Sequence, residues 1–169
     1  MPHLEVKPLA SEHDRAAFSC GVEPLDRYFR DQAGQEMRRN VAAVFLLRML
    51  DSSAVAGYYT LSAMSLEPTE LPLDLIKRLP RYPTLPALLI GRLAVDRSYQ
   101  GQGIGRAMLM SALSRSLKLR SEVGAIGVVV DAKDDAAGQF YEHYGFQRFL
   151  NRRYRLFLPM KTIEHLRPD

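Results

Sequence analysis

Apolar positions along this chain follow two periods that take turns. Leu4-Glu5-Val6-Lys7-Pro8-Leu9 alternates as a half-buried strand does. Ser11 stands as an N-cap before Glu12-His13-Asp14-Arg15-Ala16-Ala17-Phe18, which predicts a short helix that Cys20-Gly21 breaks. A second helix is expected from Pro24 to Arg39, with Leu25, Tyr28, Phe29 and Ala33 on its apolar side. Pro24 falls in its first turn, where a missing N–H is tolerated. Val41 to Leu50 and Ala54 to Leu66 read as antiparallel strands joined at Asp51-Ser52-Ser53. Prolines at 68, 72, 80, 83 and 86 then exclude continuous strand, leaving a loop around one short helix near Leu73 to Leu79.

The second half repeats the alternation. Ala87 to Val95 is apolar enough for a mostly buried strand, and Ile104, Ala107, Met108, Leu109, Ala112, Leu113 and Leu117 recur at helical spacing in a helix reaching Arg120. Val123 to Asp131 is a valine-rich strand. Asp134 to Tyr144 is a helix with acids in its first turn, where they complement its dipole, and Gly145 ends it. Phe146 to Leu158 returns as a last strand or strand pair before a short tail. Without repeats or linkers, residues 1–169 read as one α/β (α+β) domain.

Composition narrows the chemistry. At 47% hydrophobic and 25% charged, the chain has the balance of a soluble globular protein. Its one cysteine, Cys20, excludes an internal disulfide and a thiolate zinc site, and four scattered histidines lack ligand spacing, so no metal is expected. Cys20 suits a small core position, with a nucleophilic role left open. Met1-Pro2-His3-Leu4-Glu5 does not open a signal peptide and no apolar run spans a membrane, so a cytoplasmic protein without membrane contact is expected. Net charge is +4, and the excess is clustered. Lys77, Arg78, Arg81, Arg92, Arg97 and Arg106 face a single acid, Asp96, between residues 77 and 106. Arg148, Arg152, Arg153 and Arg155 form a second group. Such clusters attract a phosphate-rich partner or an acidic protein.

The junction Gln100-Gly101-Gln102-Gly103-Ile104-Gly105 joins the apolar strand to the long helix. Glycines there permit a tight turn and close approach to bare N–H groups, and a helix N-terminus favours phosphate. A dinucleotide fingerprint would need glycine at Arg106, and a Walker loop would need Gly-Lys-Ser/Thr. What remains, Gln-x-x-Gly-x-Gly at Gln100, Gly103 and Gly105, resembles the acetyl-coenzyme A loop of the GCN5-related N-acetyltransferases (GNAT). Phe140-Tyr141-Glu142-His143-Tyr144-Gly145-Phe146 resembles the same family's FY-x-x-x-GF segment, in the expected order and context.

That resemblance implies a GNAT fold, a mixed central β-sheet flanked by helices, and acetyl-coenzyme A as co-substrate. It places a carbonyl-polarising backbone N–H among Leu93, Ala94 and Val95. The pyrophosphate would lie on the N–H groups of Gln100, Gly101, Gln102, Gly103, Ile104, Gly105 and Arg106. Tyr141 would be the general acid that protonates the departing thiolate, since a phenol near pKa ~10 keeps its proton at neutral pH. Tyr144 suits packing, and no dedicated general base stands out beyond Glu67 or water.

Phe18-Ser19-Cys20-Gly21-Val22-Glu23-Pro24-Leu25-Asp26-Arg27-Tyr28-Phe29 resembles the opening of the acetyltransferase toxins of type II toxin–antitoxin systems, as does Leu79-Pro80-Arg81-Tyr82-Pro83-Thr84-Leu85-Pro86. The resemblance implies acetylation of the α-amine of aminoacyl-tRNA, translation arrest, and a ribbon-helix-helix antitoxin through which alone operator DNA would be bound. A homodimer is left open. Arg38, Arg39, Arg78, Arg81, Arg92 and Arg153 are the RNA-facing candidates. The alternatives are a GNAT enzyme acting on a small amine or a protein N-terminus, and a non-enzymatic binding module.

Overall fold

In the computed structural model, which describes residues 4–10, 13–50 and 52–168, the two periods become a mixed α/β fold. Strand β1 is Leu4–Pro8, followed by helix α1 (Glu23–Arg27), a π turn (Tyr28–Gln32) and helix α2 (Ala33–Arg38). Strands β2 (Ala43–Met49) and β3 (Val55–Leu66), helix α3 (Leu73–Ile76) and strand β4 (Leu85–Val95) come next. Helix α4 (Ile104–Leu119), strand β5 (Gly127–Asp131), helix α5 (Asp135–His143), strands β6 (Gln147–Arg148) and β7 (Arg155–Pro159) and helix α6 (Met160–Leu166) complete the chain. The strand order is β1-β2-β3-β4-β5-β7-β6. β4 and β5 are parallel, whereas β1/β2, β2/β3, β5/β7 and β6/β7 are antiparallel.

The chain divides into two units, Met1–Ser62 with Arg92–Ala112, and Ala63–Gly91 with Leu113–Asp169. In the first, an aromatic knot fixes the helical segment to the strands. Phe29 stacks on Tyr58 with centroids 4.4 Å apart, and Phe18 meets both rings edge-on. Tyr58 Oη donates to the Leu25 carbonyl at 2.7 Å, which satisfies the one polar atom of a ring otherwise buried. In the second unit, Leu66, Leu71 and Leu75 pack with Val129, Phe149 and Phe157.

Several elements depart from the periodicity. Residues 13–18 form turns, not the predicted helix, and its cap Ser11 and first residue Glu12 lie outside the described residues. The helix expected from Pro24 to Arg39 is interrupted by the π turn, where the Ala33 N–H donates to the Tyr28 carbonyl five residues back. Strand β5 starts at Gly127, leaving Val123 exposed in the preceding turn. The expected tail is helix α6, whose Met160 and Ile163 are buried three residues apart.

Gly57 on β3 sets how closely α4 approaches the sheet. A Cβ there would lie 2.6 Å from Met108 Sδ and 2.8 Å from the Ala94 carbonyl oxygen. Strand propensity alone makes Gly57→Val stabilising; overpacking makes it destabilising, by about 1–3 kcal/mol. Urea unfolding should show the midpoint fall, and a rise would refute the contact.

Candidate active site

In the first unit, the glycine junction begins with a capped turn. Asp96 follows β4, and its carboxylate accepts from the Ser98 N–H at 2.9 Å and from the Ser19 N–H at 3.0 Å. The Arg97 N–H in turn donates to the Ser19 carbonyl at 2.8 Å. Gln100 then acts as a strut: its Nε2 donates to the Cys20 and Val95 carbonyls, each at 2.9 Å. Cys20 is buried, its N–H donating to Asp26 Oδ1 at 2.8 Å. Ser19-Cys20 is therefore pinned from one side by Asp26 and from the other by Asp96 and Gln100.

Beyond this strut the backbone is bare. Gly101 and Gly103 adopt φ of +78° and +81°, and a Cβ on either would meet nothing within 4 Å. Conformation, not crowding, therefore demands glycine at both positions. The Ala107 N–H makes a helical bond to the Gly103 carbonyl, so the N–H groups of Ile104, Gly105 and Arg106 precede the helical ladder. No acid occupies the first turn of α4, and Arg106 adds positive charge. Open N–H donors, a positive helix end and no competing carboxylate fit a pyrophosphate. Upstream, the Arg92 N–H donates to Thr60 Oγ1 at 3.1 Å and the Asp96 N–H to the Ala56 carbonyl at 2.9 Å, with Leu93, Ala94 and Val95 between them on β4.

In the second unit, Asp134 caps α5 by accepting from the Ala137 N–H at 2.8 Å. The helix carries Tyr141, which is 4% exposed and set edge-on between Phe140 and Phe146. Among the described residues, every side-chain oxygen or nitrogen sealed from solvent has a hydrogen-bond partner. The Tyr141 hydroxyl makes no hydrogen bond among those residues, so it is the edge of the ring that meets the surface. Burial holds its proton well above the ordinary phenol range, and the Asp131 carboxylate adds to the effect. Arg155 engages that carboxylate with two bonds, Nε to Oδ1 at 2.8 Å and Nη2 to Oδ2 at 3.0 Å. Tyr141 is thus a phenol oriented by its ring neighbours, with its hydroxyl uncommitted among the described residues.

Residues 49–148 match the acetyltransferase (GNAT) domain. The chain belongs to the GNAT acetyltransferase family. Over 169 residues it is 29% identical to a probable toxin TacT of Sinorhizobium fredii, covering 95% of this chain and 93% of that one. It is also 29% identical over 161 residues to a tRNA-acetylating toxin of Mycobacterium tuberculosis, covering 95% of each. Among solved structures, AtaT complexed with acetyl-methionyl-tRNAfMet superposes with a TM-score of 0.88 at 31% identity, over 96% of this chain and 98% of that one. A tyrosine-to-phenylalanine AtaT mutant bound to acetyl-CoA and the C-terminus of the antitoxin AtaR gives 0.81 at 28%, over 96% and 97%.

Within this GNAT chain, the RNA-facing candidates have distinct surroundings. In the first unit, Arg38 and Arg39 are exposed at the end of α2, whereas the Arg92 guanidinium lies 3.6 Å from the Tyr28 ring centroid. Tyr28 Oη donates to Glu36 at 2.8 Å, so Arg92 is stacked and oriented rather than loose. In the second unit, Arg78 and Arg81 are exposed, and Arg153 pairs with Asp135 at 2.8 Å. Periodicity and motif missed Asp26 and the Asp131–Arg155 pair. An acid among apolar neighbours, as Asp26 is in Pro24-Leu25-Asp26, was the only signal for the first. Among the described residues no three His, Cys, Asp or Glu side chains form a group able to hold a metal ion, and no helix is long and apolar enough to cross a membrane.

If the strut shapes the phosphate loop, Gln100→Ala should weaken acetyl-CoA binding by about tenfold and lower stability by about 1–3 kcal/mol. Calorimetric titration and urea unfolding measure the two. Unchanged affinity in a destabilised variant would confine Gln100 to folding.

Proposed function

We propose that this chain is a toxin-type N-acetyltransferase that moves acetyl from acetyl-CoA to the α-amine of aminoacyl-tRNA and so blocks translation. The observation that carries this reading is a full-length likeness to AtaT, a protein solved with acetyl-methionyl-tRNA, in a chain whose glycine loop is bare and open. A ribbon-helix-helix antitoxin, through which operator DNA would be bound, is the expected neutralising partner; AtaT is solved bound to the C-terminus of the antitoxin AtaR. The cytoplasm, where charged tRNA is found, is the proposed location, with residues 1–169 as one catalytic domain.

Acetyl-CoA supplies an activated acyl group on a thiolate leaving group. The backbone N–H groups from Gln100 to Arg106 hold the pyrophosphate, and an N–H of Leu93, Ala94 or Val95 polarises the thioester carbonyl. The neutral α-amine forms the new C–N bond as the C–S bond breaks. Tyr141 gives its proton to the departing sulfur and regains one from the acetylated nitrogen, so the proton lost by the amine balances the one gained by the thiol. Arg38, Arg39 and Arg92 in one unit, and Arg78, Arg81 and Arg153 in the other, supply charge for the RNA backbone.

Tyr141→Phe should lower kcat for aminoacyl-tRNA acetylation by about 10²–10⁴-fold while leaving acetyl-CoA affinity and the unfolding midpoint unchanged, because the lost hydroxyl has no partner among the described residues. Mass spectrometry of aminoacyl-tRNA from cells expressing each form provides the readout. Acetylated ends in the wild type alone would support the reading. Their absence, with acetyl-CoA still bound, would move the substrate to a small amine or a protein N-terminus.

The tyrosine's raised pKa also sets a pH profile. The acid form persists above the ordinary phenol value, so the rate should rise as the α-amine deprotonates near pKa ~8 and show no fall by about pH 9. A descending limb below that point, absent from Tyr141→Phe, would contradict a raised tyrosine pKa.

A further inference from the structure

The segment from Glu23 to Arg38 contains a glycine that its backbone does not require. Gly34 lies within α2 and, unlike Gly101 and Gly103, has no positive φ. Glycine weakens a helix relative to alanine, so its presence asks for a steric reason. A Cβ at Gly34 would lie 2.9 Å from Arg15 Nη1 and 3.3 Å from Arg38 Nη1. Two guanidinium groups therefore converge over the bare backbone of one helical turn.

Among the described residues that line the cleft beside them, none carries a counter-charge. Arg15 arrives from the loop after β1, and its Nη1 donates to the Phe29 carbonyl at 3.4 Å, which fixes its direction. Arg38 follows Gly34 by one helical turn on α2. Among the described residues, both line a 470 Å³ cleft with Leu9, Ala10, Gly34 and Met37. Among the described residues, neither Arg15 nor Arg38 forms an ion pair. Converging like charges repel, and a shared anion reverses the sign of that interaction. Guanidinium forks match the tetrahedral oxygens of phosphate better than a spherical ion.

We propose that Arg15 and Arg38 form a phosphate clamp over Gly34, taking a phosphate oxyanion into the cleft of the first unit. Two sources share this chemistry: a phosphodiester of the RNA substrate, and free inorganic phosphate. The first rests on the aminoacyl-tRNA reading above, whereas the second does not.

The test compares the full-length wild type with Arg38→Gln, Arg15→Gln, the double variant and Gly34→Leu. Because Arg38 is exposed, Arg38→Gln keeps the fold even if Arg15→Gln does not, and Gly34→Leu fills the cleft without removing charge. Uncharged tRNA binding is followed by fluorescence anisotropy against salt, inorganic phosphate binding by ³¹P NMR titration, and acetyl-CoA binding by calorimetry. The expected result is tRNA affinity about tenfold weaker and a salt slope shallower by about 1–2, with acetyl-CoA affinity unchanged. Unchanged tRNA affinity with lost phosphate binding would keep the clamp and assign it to free phosphate. Unchanged binding of both ligands in Arg38→Gln and Gly34→Leu would overturn it. A wild type that does not acetylate aminoacyl-tRNA would overturn the functional reading alone, and the phosphate titration would still decide the clamp.

Discussion

The glycine junction of this protein depends on one side-chain amide. Gln100 donates to two carbonyls, those of Cys20 and Val95, and thereby ties the glycine junction to the strand before it and to a segment 80 residues earlier. Asp96 and Asp26 hold that segment from opposite sides by accepting from the Ser19 and Cys20 N–H groups. Backbone groups in an irregular loop need partners when removed from water, and here side chains supply them. The glycines beyond are left open because the residues before them are fully committed.

Two stretches that read as independent motifs are consequently one construction. Phe18 to Phe29 matched the opening of a toxin subfamily, and Gln100 to Gly105 matched a cofactor loop shared by a much wider family. The Ser19 N–H donates to Asp96, and the Gln100 side chain donates to the Cys20 carbonyl, which joins them. Cys20, whose nucleophilic role was open, is explained by this arrangement as a buried residue whose backbone does the work. The second unit follows a complementary logic. There, arginines neutralise acids around α5, Arg148 on Glu142 and Arg155 on Asp131, while Tyr141 is left without a partner among the described residues.

Much of this was legible in the sequence because it is local. Glycines at Gly101 and Gly103, the acid-led first turn of α5 and the apolar stripe of α4 each follow from backbone conformation, dipole or period, and each is present. What stayed hidden depends on partners distant in sequence. The expected helix over Glu12–Phe18 has a good cap and composition, yet residues 13–18 are turns. Phe18 is drawn onto Phe29 and Tyr58, and Arg15 onto the Phe29 carbonyl, so tertiary contacts override propensity. Helix α6 escaped notice because seven residues with two buried positions give too short a period. Arg92 reads as one of the RNA-facing charges, but only the fold shows that Tyr28 receives it.

The π turn at Tyr28–Gln32 carries a consequence for the rest of its helical segment. A π turn is an α-helical turn with one residue more, and each residue advances a helix by about 100°. The extra residue therefore resets the angular phase between Tyr28 and Phe29, which face the aromatic knot, and Gly34 and Arg38, which face the cleft. A regular helix of the same sequence would align one pair only by turning the other away. The segment thus behaves as two short helices sharing an axis but keeping separate clocks, and a one-residue deletion there would cost the chain its second face rather than its helicity.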